Sequence, residues 1–163
     1  MSGIRVKYGE FEIRVAKAAD IPAVSGLDAT ITGIAKPDYW NDMFERYGTR
    51  DKRYFLVSQN NDGVVIGFII GEVRAWEFGS PPSGWIFALG VDPQARLNKV
   101  GSSMFEAICD CLARDGVDQV RTMLAREDEL NMTFFRSQGM MGGPFIELEM
   151  PLPTPVTGKR TAP

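Results

Sequence analysis

At 163 residues with 44% apolar content, the chain is sized for one domain built on one sizeable core. Its 18 basic and 21 acidic residues leave a net charge of −3, which supplies no global basic field for nucleic acid or an anionic membrane. Histidine is absent, which removes Ser-His-Asp and Cys-His catalysis, histidine-ligated zinc and histidine general bases together.

Residues 1–10 carry no periodic pattern and read as a flexible lead into a domain spanning 11–150. Phe11–Val15 alternates as a strand. Asp20 is placed to cap a helix whose first turn holds Pro22 and which runs to about Ala29. Pro37 opens a second helix over 38–47, where Tyr39, Trp40, Met43, Phe44 and Tyr47 recur at helical spacing and form either core or one wall of a pocket. Residues 53–58 and 64–76 are apolar and β-rich, and the Asn60-Asn61-Asp62-Gly63 tetrad between them predicts an antiparallel hairpin. A third strand of this kind covers 85–91, after the Gly79-Ser80-Pro81-Pro82 turn.

From Val100 the period changes. Val100, Met104, Phe105, Ile108, Cys111 and Leu112 share one face, which predicts an amphipathic helix ending near Gly116. A strand over 117–124, a helix over 127–137 and an alternating strand over 145–150 complete the order β-α-α-β-β-β-α-β-α-β. That order describes a mixed α/β (α+β) sheet with helices on both faces. The tail over 151–163, with its closely spaced prolines, reads as disordered.

The longest apolar run, residues 64–70, falls far short of the roughly 20 residues that span a bilayer, and the N-terminus lacks the apolar core of an export signal. A cytoplasmic protein is expected, with no membrane and no nucleic-acid partner. Cys109 and Cys111 lie two apart in a helical pattern and point in different directions, so no bond between them is expected.

The chemistry concentrates where the third hairpin strand ends at Asp92-Pro93 and a helix begins near Val100. The first turn of a helix presents N–H groups without intrahelical partners, and the macrodipole adds about half a positive charge there. Such an end binds phosphate, and Arg96 and Lys99 add formal charge beside it. Gly101 leaves room for a ligand to approach the backbone. A helix N-terminus with these neighbours is also a common β-α connection, and the context decides between the two readings.

In register, Val91, Pro93, Arg96 and Gly101 match V-x-P-x-x-(R/Q)-x-x-G-x-(G/A), and residues 128–140 are similar to N-x-x-A-x-x-L-Y-x-x-x-G-F. With the order of elements, these segments resemble the GNAT superfamily of N-acetyltransferases over residues 11–150. The resemblance implies a mostly antiparallel sheet of six to seven strands with two central strands splayed apart. The pantetheine arm of acetyl-CoA, the implied cosubstrate, would lie in that gap against Leu89, Gly90 and Val91. Its pyrophosphate would rest on Arg96, Leu97, Asn98, Lys99, Val100, Gly101 and Ser102, with Asp128 and Phe135 close to the cofactor. No metal is implied. At three positions the chain departs from the pattern: Lys99 stands for a glycine, Asp128 for an asparagine, and Phe135 for the tyrosine that often protonates the departing thiolate. Phenylalanine has no proton to give.

Residues that carry a catalytic glutamate in some relatives are Trp85 and Met123 here, so no carboxylate is carried over. Glu72, on the strand face of Phe68 and Ile70 by period-two counting, is the substitute general base, with pairing to Arg74 as its structural alternative. Tyr39 is the candidate acid, with packing as its alternative. The function expected is transfer of an acetyl group from acetyl-CoA to a primary amine, on a protein or a small molecule. The alternative is a catalytically degenerate acyl-CoA sensor or interaction protein. A dinucleotide-binding domain is disfavoured, because the glycines do not form G-x-G-x-x-G and the early strands are hairpin-linked. Exposed edge strands offer a route to a homodimer.

Overall fold

The Asn60-Asn61-Asp62-Gly63 tetrad closes a hairpin because one side chain organises it. Asn60 Oδ1 accepts from the N–H groups of Asp62 (3.0 Å) and Val64 (2.9 Å), and Gly63 takes the left-handed φ of 82° that the reversal needs. The computed structural model describes residues 3–153, and the flanking strands are β3 (Arg53–Asn60) and β4 (Val65–Arg74).

On one side of this hairpin lie β2 (Phe11–Val15) and β1 (Arg5–Tyr8), and on the other β5 (Ser83–Val91) and β6 (Val120–Arg121). The sheet order is β1-β2-β3-β4-β5-β6, antiparallel throughout except for the parallel pair β5 and β6. β1 is a finding. The flexible lead expected over 1–10 contains a four-residue strand paired to β2, anchored by an Arg5–Glu12 ion pair at 2.9 Å.

Period-two alternation divides the core. Phe55 and Val57 face a cluster with Val24, Leu27, Trp40 and Met43 of α1 (Ile21–Thr32) and α2 (Pro37–Tyr47). Leu56 and Ile69 face the opposite cluster, with Met104, Ile108 and Leu112 of α3 (Val100–Arg114) and Phe135 of α4 (Glu129–Ser137). The helices therefore cover both faces, as expected. No helix among the described residues is long and apolar enough to cross a membrane.

Several boundaries differ. α1 runs to Thr32, ended by Gly33 at φ 76°, whose N–H reaches Ala29 O. Asp20 does not cap α1: its carboxylate turns back to the Lys17 N–H at 2.7 Å and to the Arg14 guanidinium at 2.7 and 2.8 Å, closing a short turn ahead of the helix. The strand expected over 117–124 is confined to two paired residues. The strand expected over 145–150 is not formed. That segment is exposed throughout and has no ladder partner among the described residues, so its alternation has no sheet to act on. The tail expected over 151–163 lies outside the described residues from 154 onward.

Candidate active site

Two irregularities at the end of the sheet create the site. Between Ile70 and Gly71 of β4, the partners on β5 jump from Ala88 to Ile86, leaving Phe87 as an extra residue that bends β5. On the far edge of β5, only Gly84 and Trp85 pair with β6, and one further tie runs from Thr122 Oγ1 to Ile86 O at 2.8 Å. From Phe87 onward the two strands part. β5 keeps its ladder with β4 through Leu89, Gly90 and Val91, while its other edge faces an opening.

The opening is a cavity of about 300 Å³. One wall is Phe87, Ala88 and Leu89 of β5, and the other is Met123, Leu124 and Ala125 beyond β6. Phe135 and Phe68 line its interior, and Asp28, Lys36, Tyr39 and Trp40 of the α1–α2 region line it as well. Phe135 is buried and lies edge-on to Phe134 and Phe105, at centroid distances of 5.2 and 6.1 Å. Its place in the cavity follows from that aromatic packing.

Following β5, Pro93–Asn98 makes a tight turn held by Asp92, whose Oδ1 accepts from the Gln94 N–H at 2.9 Å. Lys99 then adopts φ 60°, ψ 21°, a left-handed conformation that is uncommon for a residue with a side chain. This is the position where the resemblance calls for glycine; the backbone keeps the glycine-like geometry and adds an exposed ammonium. α3 starts immediately afterwards with no side-chain cap, and its first intrahelical bond runs from the Ser103 N–H to Lys99 O at 3.0 Å. The amides of Val100, Gly101 and Ser102 precede that bond and have no intrahelical partner. α4 is different: the Asp128 carboxylate accepts from the Asn131 N–H (3.2 Å) and Nδ2 (2.8 Å), so Asp128 is consumed as its cap while also lining the cavity.

Arg96, Asn98 and Lys99 are exposed on the turn. Ser102 Oγ accepts from Gln138 Nε2 at 3.0 Å, tying α3 to the end of α4. Gly101 serves packing: a Cβ there would lie 3.1 Å from the Phe134 ring and 3.5 Å from a Val91 methyl. The glycine lets α3 approach α4 and β5, so its backbone stands close to the strand end.

The two sequence candidates for proton transfer separate. Tyr39 lines the cavity, and burial pushes its phenol above the ordinary range, partly offset by Lys36, so the phenol keeps its proton at neutral pH. Glu72 stands opposite Trp85, at the closed end of the β5–β6 pair, and is not among the cavity-lining residues. Its carboxylate contacts Arg74 at 3.0 Å and Arg53 at 3.6 Å, the ion pairing given above as its structural alternative.

Sequence reasoning missed Asp28. It is 7% exposed, lines the cavity, and takes both of its donors on one oxygen: Trp40 Nε1 at 3.0 Å and Lys36 Nζ at 3.0 Å reach Oδ2. Oδ1 has no hydrogen-bond partner among the described residues. Lys36 Nζ also lies 5.4 Å from the centre of the Tyr39 ring, so a carboxylate and an aromatic face together hold one ammonium at the cavity. The thiols add nothing here. Burial pushes Cys109 and Cys111 up to about 11, which keeps both protonated.

The model of the acetyltransferase (GNAT) family matches residues 22–140. A mycothiol acetyltransferase of Kocuria rhizophila is 30% identical over 102 residues, which is 60% of this chain, and the match covers 34% of that relative's length. Among solved structures, an aminoglycoside 6'-N-acetyltransferase of Acinetobacter baumannii superposes with a TM-score of 0.75 at 10% identity, covering 88% of this chain and 99% of its own. The aminoglycoside N-acetyltransferase AAC(6')-Iy, solved in complex with CoA, gives 0.76 at 17% identity over 90% of this chain and 98% of that one. At those identities the likeness establishes the fold. The family match extends from the first turn of α1 to just beyond α4, and it takes in the splayed strands, the turn and the uncapped helix start. By that match the chain belongs to the acetyltransferase (GNAT) family.

Proposed function

We propose that the protein transfers an acetyl group from acetyl-CoA to a primary amine by direct attack in a ternary complex. One observation carries the reading: a gap between β5 and β6 leads along a half-free strand edge to an uncapped helix N-terminus. That shape suits a long arm ending in a diphosphate. The β5 edge at Leu89, Gly90 and Val91 hydrogen-bonds the arm. The backbone of residues 96–102 and the charges of Arg96 and Lys99 hold the diphosphate. The bound thioester supplies an electrophilic carbonyl.

The chain's own groups do the rest. Asp28 Oδ1 receives the acceptor's ammonium, positions its nitrogen at the cavity and takes the proton that the amine must lose before it can attack. As the nitrogen bonds to the acyl carbon and the C–S bond breaks, charge grows on the carbonyl oxygen, and N–H groups on the free edge of β5 face it. Tyr39 is the protonated group at the cavity. Coenzyme A thiol, with a pKa of about 8.5, leaves acceptably near neutral pH without a dedicated acid. The mycothiol and aminoglycoside acetyltransferases named above suggest a small-molecule acceptor as the first class to try.

The test is release of free thiol from acetyl-CoA over a panel of primary amines, alongside calorimetric titration with acetyl-CoA. Turnover with at least one amine is expected. Binding without turnover on any amine would establish the sensor alternative, and an absence of binding would sink both readings. The missing acid gives a second expectation. Phe135→Tyr places a phenol in the cavity, so kcat should rise about tenfold, a fraction of what a positioned general acid supplies. A folded variant with unchanged kcat would show that departure of the thiol does not limit the reaction.

A further inference from the structure

Asp28 and Lys36 carry opposite charges at the wall of one cavity, and each has bonding capacity left over. Asp28 spends Oδ2 on Trp40 Nε1 and Lys36 Nζ, both at 3.0 Å, and leaves Oδ1 without a partner among the described residues. Ser58 Oγ is the one side-chain atom among those residues that is both fully covered and unpartnered, so Asp28 Oδ1 keeps accessible surface. The Lys36 ammonium has three N–H donors. One meets Asp28, the centre of the Tyr39 ring stands 5.4 Å away, and 37% of the side chain is exposed. Lys36 makes no other ion pair among the described residues.

Both groups are anchored. Asp28 is a buried residue of α1, and Lys36 stands at the start of α2, where Pro37 follows it and its carbonyl accepts from the Trp40 N–H at 3.2 Å. The pair is neutral as it stands, so a simple amine arriving at Oδ1 leaves two ammonium groups on one carboxylate, and a diamine adds a third. An acceptor that brings its own carboxylate restores neutrality, because that group meets the spare donors of Lys36. In an α-amino acid the nitrogen and the nearer carboxylate oxygen lie roughly 3 Å apart by covalent geometry. That matches the 3.0 Å between Lys36 Nζ and Asp28 Oδ2, so four alternating charges close on one another. Asp128, the remaining charged residue of the lining, is committed to Asn131.

We infer that the acceptor is a small α-amino acid whose carboxylate is bound by Lys36 while its ammonium meets Asp28 Oδ1, so that Lys36 selects the acceptor. The inference rests on the acetyl-transfer reading for the reaction and on this charge pair for the acceptor. Phe87 and Met123 line the same cavity and give an apolar side chain a surface to rest on. A volume of about 300 Å³ stands at the low end of small-molecule sites and must also admit the thioester, which favours an acceptor of this size over an oligosaccharide.

The test compares L-phenylalanine and L-leucine with phenethylamine and isoamylamine, which lack only the carboxylate, and with cadaverine, which carries a second ammonium. Thiol release from acetyl-CoA is measured with each, and each is titrated by calorimetry into the full chain saturated with CoA. The amino acids should exceed their matched amines by about 10- to 100-fold in kcat/KM and in affinity, the range of one charge-assisted hydrogen bond. Lys36→Met keeps the alkyl stem and removes the charge. It should bring that ratio to within about twofold of one and improve cadaverine relative to isoamylamine. A purely structural role for Lys36 would lower all acceptors together and leave the ratio where it was. Carboxylate-dependent binding without thiol release would uphold the inference while refuting acetyl transfer. Turnover with no preference for the carboxylate, a preference that survives Lys36→Met, or binding of neither class would each overturn it.

Discussion

Gly101→Asp should weaken acetyl-CoA binding at least about 100-fold in calorimetric titration, while Gly101→Asn loses no more than about tenfold. The two variants present nearly the same volume to Phe134, whose ring must give by a few tenths of an ångström from the 3.1 Å that a Cβ would meet. They differ by one negative charge, placed among the amides of Val100, Gly101 and Ser102. At about 5 Å from a diphosphate, with an effective dielectric near 20, a like charge costs roughly 3 kcal/mol, which corresponds to about a hundredfold in affinity. An acidic residue in the first turn is itself favourable to a helix, so the loss would not reflect a weakened α3. Equal losses in the two variants would show that crowding of Phe134 and not charge is responsible, and unchanged binding in both would put the diphosphate elsewhere. Arg96→Ala, on the exposed turn, should cost about tenfold and lessen with added salt, because exposed charges are screened.

What could be read beforehand follows a physical division. The hairpins, α3 and the uncapped turn were legible because each is specified locally: Asn60 with Gly63 for the reversal, a stripe from Val100 to Leu112 for the helix, Asp92-Pro93 for the strand end. The position of Lys99 was visible as a departure from the glycine pattern, but its left-handed backbone was not, since the cost of that conformation is borne by the surrounding turn. Glu72 illustrates the opposite failure. Period-two counting placed it on the correct face of β4, but how far along the strand the sheet opens depends on the Phe87 bulge and the two-residue β6 ladder, and neither has a sequence signal. The Phe145–Met150 alternation was legible as a strand pattern, but no strand forms there among the described residues, because pairing depends on a partner edge as well as on the segment's own residues. Asp28 escaped notice because it is one acid inside a helix, and its importance comes from Trp40 twelve residues on.

Asp28→Asn should lower kcat/KM for the amine acceptor by roughly 100-fold while leaving the dissociation constant for acetyl-CoA within twofold. The substitution keeps the side chain's volume and an oxygen for the Trp40 indole, so α1 and α2 stay packed. It removes the charge that would meet the acceptor's ammonium, and a charge-assisted hydrogen bond of this kind is worth about 1.5–3 kcal/mol, up to about two powers of ten in kcat/KM. Glu72→Gln is the counterpart: with its carboxylate held by Arg53 and Arg74 at the closed end of the β5–β6 pair, it should change kcat/KM less than twofold and register instead as a lower urea midpoint. The pair of variants decides which carboxylate serves the acceptor. If Glu72→Gln abolishes turnover and Asp28→Asn does not, the amine approaches from the sheet's closed side, and the cavity beside Tyr39 and Lys36 is only the entrance for the thioester arm. If Asp28→Asn raises KM with kcat intact, the carboxylate binds the ammonium without aligning it, and proton removal belongs to water in the cavity.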